Sequence, residues 1–342
     1  MNYFDNINGI KAKDIELRQG VASLREEVIN RTIKPLLITN NGTYTADPTQ
    51  GTYGYSPITV DVQEEPWEPL EDGYSNFWFE LTDDTLSPWL NFSAKNNDAV
   101  IDWGDGSGEV ALDTLTPTHT YSNAGKYVVK VKGVTEIAAL YQNNYDTKYC
   151  KILKYVELNN EVSSLNTYAF AYALRLKEVY GAGTVSSSTN AYYFCTALEK
   201  VDYTSNSNIR QDEFRYCVSL VEFPVYQSAT AFGTSAFLYD ACITNVTIPS
   251  TVTNIGVQCF QYCRALEEIH VQATTPPTLG ASAFANIKSG YVIYVPVGTG
   301  ETYKATSGWS TYADHILEEG QAPNRLMMAK FNSDNADNEE MR

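Results

Sequence analysis

The second half of the chain repeats itself. In Phe260-Gln261-Tyr262-Cys263-Arg264-Ala265-Leu266-Glu267-Glu268-Ile269 an aromatic is followed six residues later by an aliphatic and nine residues later by another. The pattern returns at Phe170/Leu176/Val179, Tyr192/Leu198/Val201, Phe214/Leu220/Phe223 and Phe237/Ile243/Val246. The leading aromatics are 22, 22, 23 and 23 residues apart, and a degraded sixth copy opens at Phe284, 24 residues after Phe260. A fixed period of this length is the mark of a solenoid. One copy cannot cover its own apolar face, so stacking must bury Phe170, Phe214, Phe237 and Phe260 in one column, and both ends need covers. Trp309 lies where the C-terminal cover belongs. At the other end, residues 134–153 or the domain before them would close the stack.

Within the copy that leads into Phe260, Val246-Thr247-Ile248 reads as a strand and Pro249-Ser250 as a turn. A second apolar stretch follows through Val252 and Ile255-Gly256, then a short helical turn carrying Cys259-Phe260. This order of residues resembles the BspA-like leucine-rich repeat. The resemblance extends to residues 291–296, Tyr303-Lys304 and Gly308-Trp309-Ser310 as a final strand and capping turn. It implies a leucine-rich-repeat solenoid over residues 134–316. It implies adhesion only generically, through relatives on bacterial and phage surfaces that bind proteins and sugars.

Chemistry-bearing residues are sparse. Of six cysteines, Cys195, Cys217 and Cys263 each sit three residues before a repeat aliphatic, so they read as small buried core residues rather than disulfide or metal partners. His119, His270 and His315 are the three histidines, and none has a nucleophile or paired carboxylates at a motif spacing. No catalytic residue and no cofactor is expected. The net charge of −17, from 41 acidic and 24 basic residues, argues against nucleic acid and anionic membranes as partners. No run reaches the ~20 apolar residues of a membrane span. Tyr is abundant at 25 residues, which suits a β-rich protein working at a surface.

The preceding segments divide by character. Over residues 1–35, Leu17, Val21, Leu24 and Val28 form one apolar seam of a helical arm, stopped by Pro35. Two heptads are too short to stand alone, so the arm anchors or oligomerises the chain, with a helix lying on its own domain as the alternative. Residues 36–63 read as a small β module: Ile38-Thr39, an Asn41-Gly42 turn, Thr43-Tyr44-Thr45, then alternating Ile58, Val60 and Val62. Its wording resembles a module of phage tail, fibre and other virion proteins of gut bacteria. Residues 64–76 are an acidic, Pro-containing linker. The tail at 317–342 is polar and acidic, with one apolar patch at Leu326-Met327-Met328.

Residues 77–133 carry a strand at Phe77-Trp78-Phe79-Glu80-Leu81, a strand into a tight turn at Asp102-Trp103-Gly104-Asp105-Gly106-Ser107-Gly108, a corner at His119-Thr120-Tyr121, and an alternating strand from Gly125 to Val131. These residues resemble an immunoglobulin-like sandwich of the polycystic-kidney-disease (PKD) type. Gly104, Gly106 and Gly108 permit left-handed backbone, and Asp102 and Asp105 accept turn amides. The sharper role for Asp102 and Asp105 is calcium, though two carboxylates need help from carbonyls to complete an oxygen shell.

The fold class expected is therefore mainly β: a leucine-rich-repeat solenoid preceded by an Ig-like sandwich, a small β module and a helical arm. The function expected is that of a non-enzymatic bacteriophage virion protein, a fibre or decoration protein, assembled in the host cytoplasm. The first six residues lack the basic start and apolar core of a secretory leader. The arm would hold other virion proteins or further copies in a homo-oligomer. The repeats would meet a host-cell or mucosal glycan or protein. Tyr180, Tyr203 and Tyr226 are the candidate contacts, since each follows a repeat's second aliphatic by one to three residues. The alternatives are a bacterial adhesin exported by a non-classical route and a glycan-degrading enzyme whose carboxylates the fold brings together.

Overall fold

The computed structural model describes residues 73–83, 86–140, 152–205, 208–222, 226 and 228–322. All lie in the compact unit Leu70–Arg342. The arm with Leu17, Val21, Leu24 and Val28, the module at 36–63, most of the linker and the tail beyond residue 322 fall outside the described residues, as do Cys150 and Phe223.

Four strands come first: β1 (Ser75–Leu81), β2 (Phe92–Asp102), β3 (Glu109–Ala111) and β4 (Gly125–Ile137). They pair antiparallel in the order β3-β2-β4-β1. Alternation turns Phe77, Phe79 and Leu81 of β1 and Val129 and Val131 of β4 inward, where they are buried. The expected turn after β2 forms as read. Gly104, Gly106 and Gly108 have φ of 70°, 86° and 82°. The Gly104 amide donates to Asp102 Oδ1 at 2.9 Å and the Ser107 amide to Asp105 Oδ1 at 3.0 Å.

A domain boundary at 133/134 does not survive as a break. It falls inside β4, which runs on to pair in parallel with β6 (Ser164–Leu165). On its other side β1 pairs antiparallel with β5 (Leu153–Leu158), the first strand of the solenoid, setting Asn76 opposite Glu157 and Trp78 opposite Tyr155. The physical reason lies in the first coil, which offers both an unpaired strand edge and an apolar face. β1 and β4 satisfy both at once. The sheet therefore continues through β5, β7 (Glu178–Thr184) and β9 (Lys200–Thr204), with β8 (Ser186–Ser187) on β6, to nine strands in all. One apolar core runs from Phe77 to Ile316.

Later coils repeat one plan: a longer strand, a two-residue strand and a turn. The short strands β10 (Ala231–Phe232), β12 (Asn254–Ile255) and β14 (Thr278–Leu279) stack in parallel. The longer strands β11 (Asn245–Ile248), β13 (Glu268–Val271), β15 (Val292–Val295) and β16 (Ile316–Glu318) form a second parallel sheet. The leading aromatics stack as a column, with ring centroids 5.6, 5.1, 5.3, 5.1 and 5.6 Å apart from Phe170 to Phe284. Cys195, Cys217, Cys259 and Cys263 are buried free thiols, whereas Cys242 is exposed.

The turn that carries each aromatic is not the short helix the sequence suggests. Residues two before and two after the aromatic have positive φ, as at Gln258 (57°) and Tyr262 (63°) around Phe260. Left-handed backbone costs a non-glycine residue about 1 kcal/mol or more. In return alternate amides point along the solenoid: Phe260 N–H donates to Ala283 O at 2.8 Å and Tyr262 N–H to Ala285 O at 3.1 Å. The coils are thus hydrogen-bonded to one another on the turn side as well as through their strands.

The C-terminal end is closed as expected. Helix α1 (Gly300–Ala305) and a 3-10 helix (Trp309–His315) place Trp309 with no exposed surface, its indole N–H donating to Pro277 O at 2.7 Å. Tyr303 packs edge-on to that ring, with centroids 5.0 Å apart, and donates its hydroxyl to Ala273 O.

Candidate functional site

The structure separates the three tyrosines picked as outward contacts. Tyr180 is half-buried on β7, where its hydroxyl donates to the Glu178 carboxylate and the Lys200 ammonium lies 4.8 Å from its ring centre. Tyr203 and Tyr226 are only 5% and 3% exposed, so the expectation that they face a ligand is corrected. The pleat gives the reason for Tyr203. Side chains on a strand alternate with period two, and on β9 the burial pattern turns Val201 and Tyr203 inward while Asp202 and Thr204 face out.

Tyr203 and Tyr226 instead meet inside the solenoid, around Glu213. This carboxylate has no exposed surface. Its Oε1 accepts hydrogen bonds from the Ser187 and Tyr226 hydroxyls, the latter at 2.8 Å, and its Oε2 accepts the Arg210 amide at 2.7 Å. Tyr192 donates to the Tyr203 hydroxyl at 3.2 Å beside them. The positions are telling. Glu213 directly precedes its coil's leading aromatic, where the other coils carry Ala169, Ala191, Ala236, Cys259 and Ala283. Ser187 takes the place filled by Leu165, Ile209, Phe232, Ile255 and Leu279. Gly181 clears the room, since a Cβ there would sit 2.7 Å from Tyr203 Cβ. Several core columns thus change to polar groups at one height. Burial pushes the Glu213 carboxyl up to about 7, with the Arg210 amide and the Ser187 and Tyr226 hydroxyls holding it from rising further.

The structure adds a second aromatic ladder that the sequence expectations do not include. It lies two residues after each leading aromatic: Tyr172, Phe194, Tyr216, Tyr239 and Tyr262, all half-exposed along the turn side. Successive centroids are 5.6, 4.9, 4.8 and 4.6 Å apart, and the last two pairs are parallel within 6°. Tyr193 packs edge-on against Tyr172 and Tyr216, and the Arg215 guanidinium lies 5.2 Å from the Tyr216 ring centre, held by Asp212 at 3.2 Å. The signal is present: the first five copies read aromatic-x-aromatic, and only the degraded sixth, Phe284-Ala285-Asn286, does not. The left-handed backbone at these residues aims the rings side by side rather than into the core.

Other chemistry-bearing groups are engaged in structure. Asp102 and Asp105 serve their turn amides, and Asp105 Oδ2 also lies 2.8 Å from His119 Nε2, whose ring stacks on Trp103. The Ser107 hydroxyl and amide, with His119, hold the Asp105 carboxyl down at about 2. Among the described residues no three His, Cys, Asp or Glu side chains are grouped as ligands for a metal ion. Also among them, no helix is long and apolar enough to cross a membrane. His270 stacks on Tyr294 with centroids 4.9 Å apart, and its Nδ1 lies 2.9 Å from Glu319.

A family model described as BspA type leucine rich repeat region matches residues 143–242 and 230–300, in six copies. No curated protein matches the chain. Among solved structures, a leucine rich cell surface protein from Faecalibacterium prausnitzii is similar at 18% identity and a TM-score of 0.36, over 54% of this chain and 55% of that one. This chain therefore spans little more than half of that protein's length. A leucine-rich repeat protein of T. pallidum is similar at 16% identity and a TM-score of 0.30, over 50% of this chain and 92% of that one. One from Bacteroides ovatus is similar at 19% and 0.27, over 66% and 76%. The aromatic spacing and the stacked coils agree with the family match, which covers residues 143–300 as copies of a BspA type leucine rich repeat.

Proposed function

We propose that the protein is a non-enzymatic adhesion protein of a bacteriophage particle, and that its repeats bind a host-cell or mucosal glycan or protein through the outer aromatic ladder. The observation that carries the binding role is that ladder: five half-exposed aromatic rings in line across five coils, with one guanidinium set among them. Tyr gives a large, stiff contact area with a hydrogen-bonding tip at small entropic cost, and Tyr and Arg are the residues on which interfaces concentrate their energy. The rings cover one another's faces, so what they offer outward is edges and hydroxyls. Such a strip fits a hydroxyl-rich or amide-rich polymer running along the solenoid. The virion setting has its support in the sequence: the seam at Leu17–Val28 and the small module that follows. The PKD-type reading of residues 77–133 adds a spacer that also closes the solenoid's first coil.

The binding test compares the full chain with a Tyr216→Ser/Tyr239→Ser variant on mucin-coated and host-cell surfaces. Loss of most adhesion with an unchanged fold is expected, and full adhesion by the variant would refute the ladder's role. The setting is tested on purified particles, which should contain the protein and should lose it when residues 1–63 are deleted. Labelling of uninfected bacterial surfaces would point to a bacterial adhesin instead.

A further inference from the structure

We propose that Glu213 and Asp240 make the middle of the solenoid a pH-responsive element, tight while both carboxyls hold their protons and loosened on the turn side at Tyr216 and Tyr239 when they lose them. Two independent features of the repeat carry this. The first is the coordinated replacement around Glu213. A carboxyl stands where other coils have Ala or Cys, and hydroxyls face it from Ser187, Tyr203 and Tyr226. The second is the column three residues after each leading aromatic. There Cys195, Cys217 and Cys263 donate their thiols to the carbonyls of Phe170, Tyr192 and Phe237, one coil earlier, at 3.0, 3.1 and 3.1 Å. Asp240 takes that place in its own coil and is fully buried, with neither oxygen in a hydrogen bond. A position built for a donor accepts an aspartate only as the neutral acid. By its place in the column, the acid proton would take the role of the thiol proton, toward the carbonyl of Phe214 one coil earlier.

Burial favours the neutral form of both carboxyls. Glu213 faces Ser187 on β8, Tyr192, Tyr203 and Tyr226, and Arg210; the Ser187 and Tyr226 hydroxyls and the Arg210 amide and charge pull the other way. Asp240 faces Cys217, Cys259 and Cys263. Burial drives its carboxyl well above the ordinary range, and the Cys217 amide, outside hydrogen-bonding geometry, opposes this. Both residues belong to the turns that carry the ladder. Glu213 is three residues before Tyr216, and Asp240 directly follows Tyr239. Tyr216 N–H donates to Leu238 O at 2.9 Å, so opening either turn separates the two rungs.

An opened turn returns Glu213 to its ordinary value of 4.5, against about 7 when closed. Opening then becomes tenfold easier per pH unit across that window, roughly 300-fold in all for Glu213 alone, and levels off above it. Asp240 adds to the same direction.

Hydrogen exchange on the full chain tests this, with rates corrected for the chemical pH dependence of exchange. Between pH 3.5 and 8 the protection of the Tyr216 and Tyr239 amides should fall roughly 300-fold or more, while that of the Tyr262 amide stays level. Glu213→Gln keeps the neutral hydrogen-bond pattern and Asp240→Cys restores the thiol of the neighbouring coils. Together they should flatten the response, and each alone should remove part of it. A pH-independent wild type, or single variants that both keep the full wild-type response, would overturn the proposal. The switch does not rest on the adhesion reading. Protection that follows pH while adhesion does not would sustain the switch and count against the ladder as the binding face.

Discussion

Between Ala231 and Val295 the coils rest on two parallel sheets and fill their interior with Phe232, Phe237, Ile248, Ile255 and Phe260, all at 0% exposure, whereas between Glu178 and Tyr226 the interior also holds Ser187, Tyr192, Tyr203 and Glu213. A second contrast accompanies the first. Four residues before the leading aromatic, the later coils have Gly233, Gly256 and Gly280, and a Cβ on any of them would come within 2.6 Å of the preceding coil's backbone. The earlier coils carry Asn166, Ser188 and Arg210 at that place. The later stretch thus gains tight backbone approach and an interior that is apolar apart from Asp240. The middle stretch gives up some of both for a polar network that only its own residues can satisfy. Uniform stacking makes neighbouring coils interchangeable, and a buried hydrogen-bonded set is one way a chain marks which coil sits on which.

The largest test of this contrast is Phe260→Ala. Phe260 stacks on Phe237 at 5.1 Å and Phe284 at 5.6 Å with no exposed surface, so truncation leaves a cavity between two rungs. The expected loss is about 3–5 kcal/mol in denaturant unfolding. Because each coil touches only its neighbours, the transition should also broaden as the solenoid divides into an upstream and a downstream part. A loss below about 1 kcal/mol would mean that the column is not what binds the coils together.

Next in size is Gly256→Ala. Its Cβ would meet Thr234 N at 2.5 Å and Gly233 C at 2.6 Å, both backbone atoms that cannot swing aside. The expected cost is about 1–3 kcal/mol. Ser188→Ala, at the same place in a middle coil, should change the unfolding midpoint by no more than about 0.5 kcal/mol. Equal costs at the two positions would erase the distinction between the stretches.

How far the sequence revealed this contrast differs by feature. The coil count and the buried column follow from spacing, because a stacked repeat must return its large apolar residues to one place, and the Trp309 cap follows from the resemblance of residues 291–310 to the repeat family's closing turn. The turn at Asp102–Gly108 is local and was read from its glycines and carboxylates. What stayed hidden depends on parity, backbone sign or long-range pairing. The inward face of Tyr203 is hidden in the sequence because a shift of one residue on a strand reverses its face. The ladder at Tyr172–Tyr262 went unread because nothing in a tyrosine announces left-handed backbone. The joining of β1 to β5 links residues about 80 apart, as Asn76 with Glu157, and no local pattern signals it. Nothing in the sequence marks Glu213 as buried, because buried carboxylates are rare unless paired or hydrogen-bonded and its partners come from separate segments.

The smallest expected effect is also the most diagnostic of the middle stretch. Tyr226→Phe removes one hydroxyl and leaves Glu213 Oε1 with the Ser187 hydroxyl alone. Below the ordinary carboxylate range, Glu213 is neutral in both folded and unfolded chains, and the loss is that of a neutral hydrogen bond, about 0.5–1.5 kcal/mol. Above pH 7 the folded carboxyl, pushed up to about 7 by burial, is ionised, and the missing bond is one to a charge, about 1.5–3 kcal/mol. The variant should therefore lose about 1 kcal/mol more stability at pH 8.5 than at pH 4. Tyr303→Phe, which breaks a buried hydroxyl bond to the Ala273 carbonyl, should cost the same at both. Unfolding curves of the two variants at the two pH values measure this difference directly. If Tyr226→Phe shows no excess loss at the higher pH, Glu213 does not ionise inside the solenoid and the middle coils are polar without being responsive.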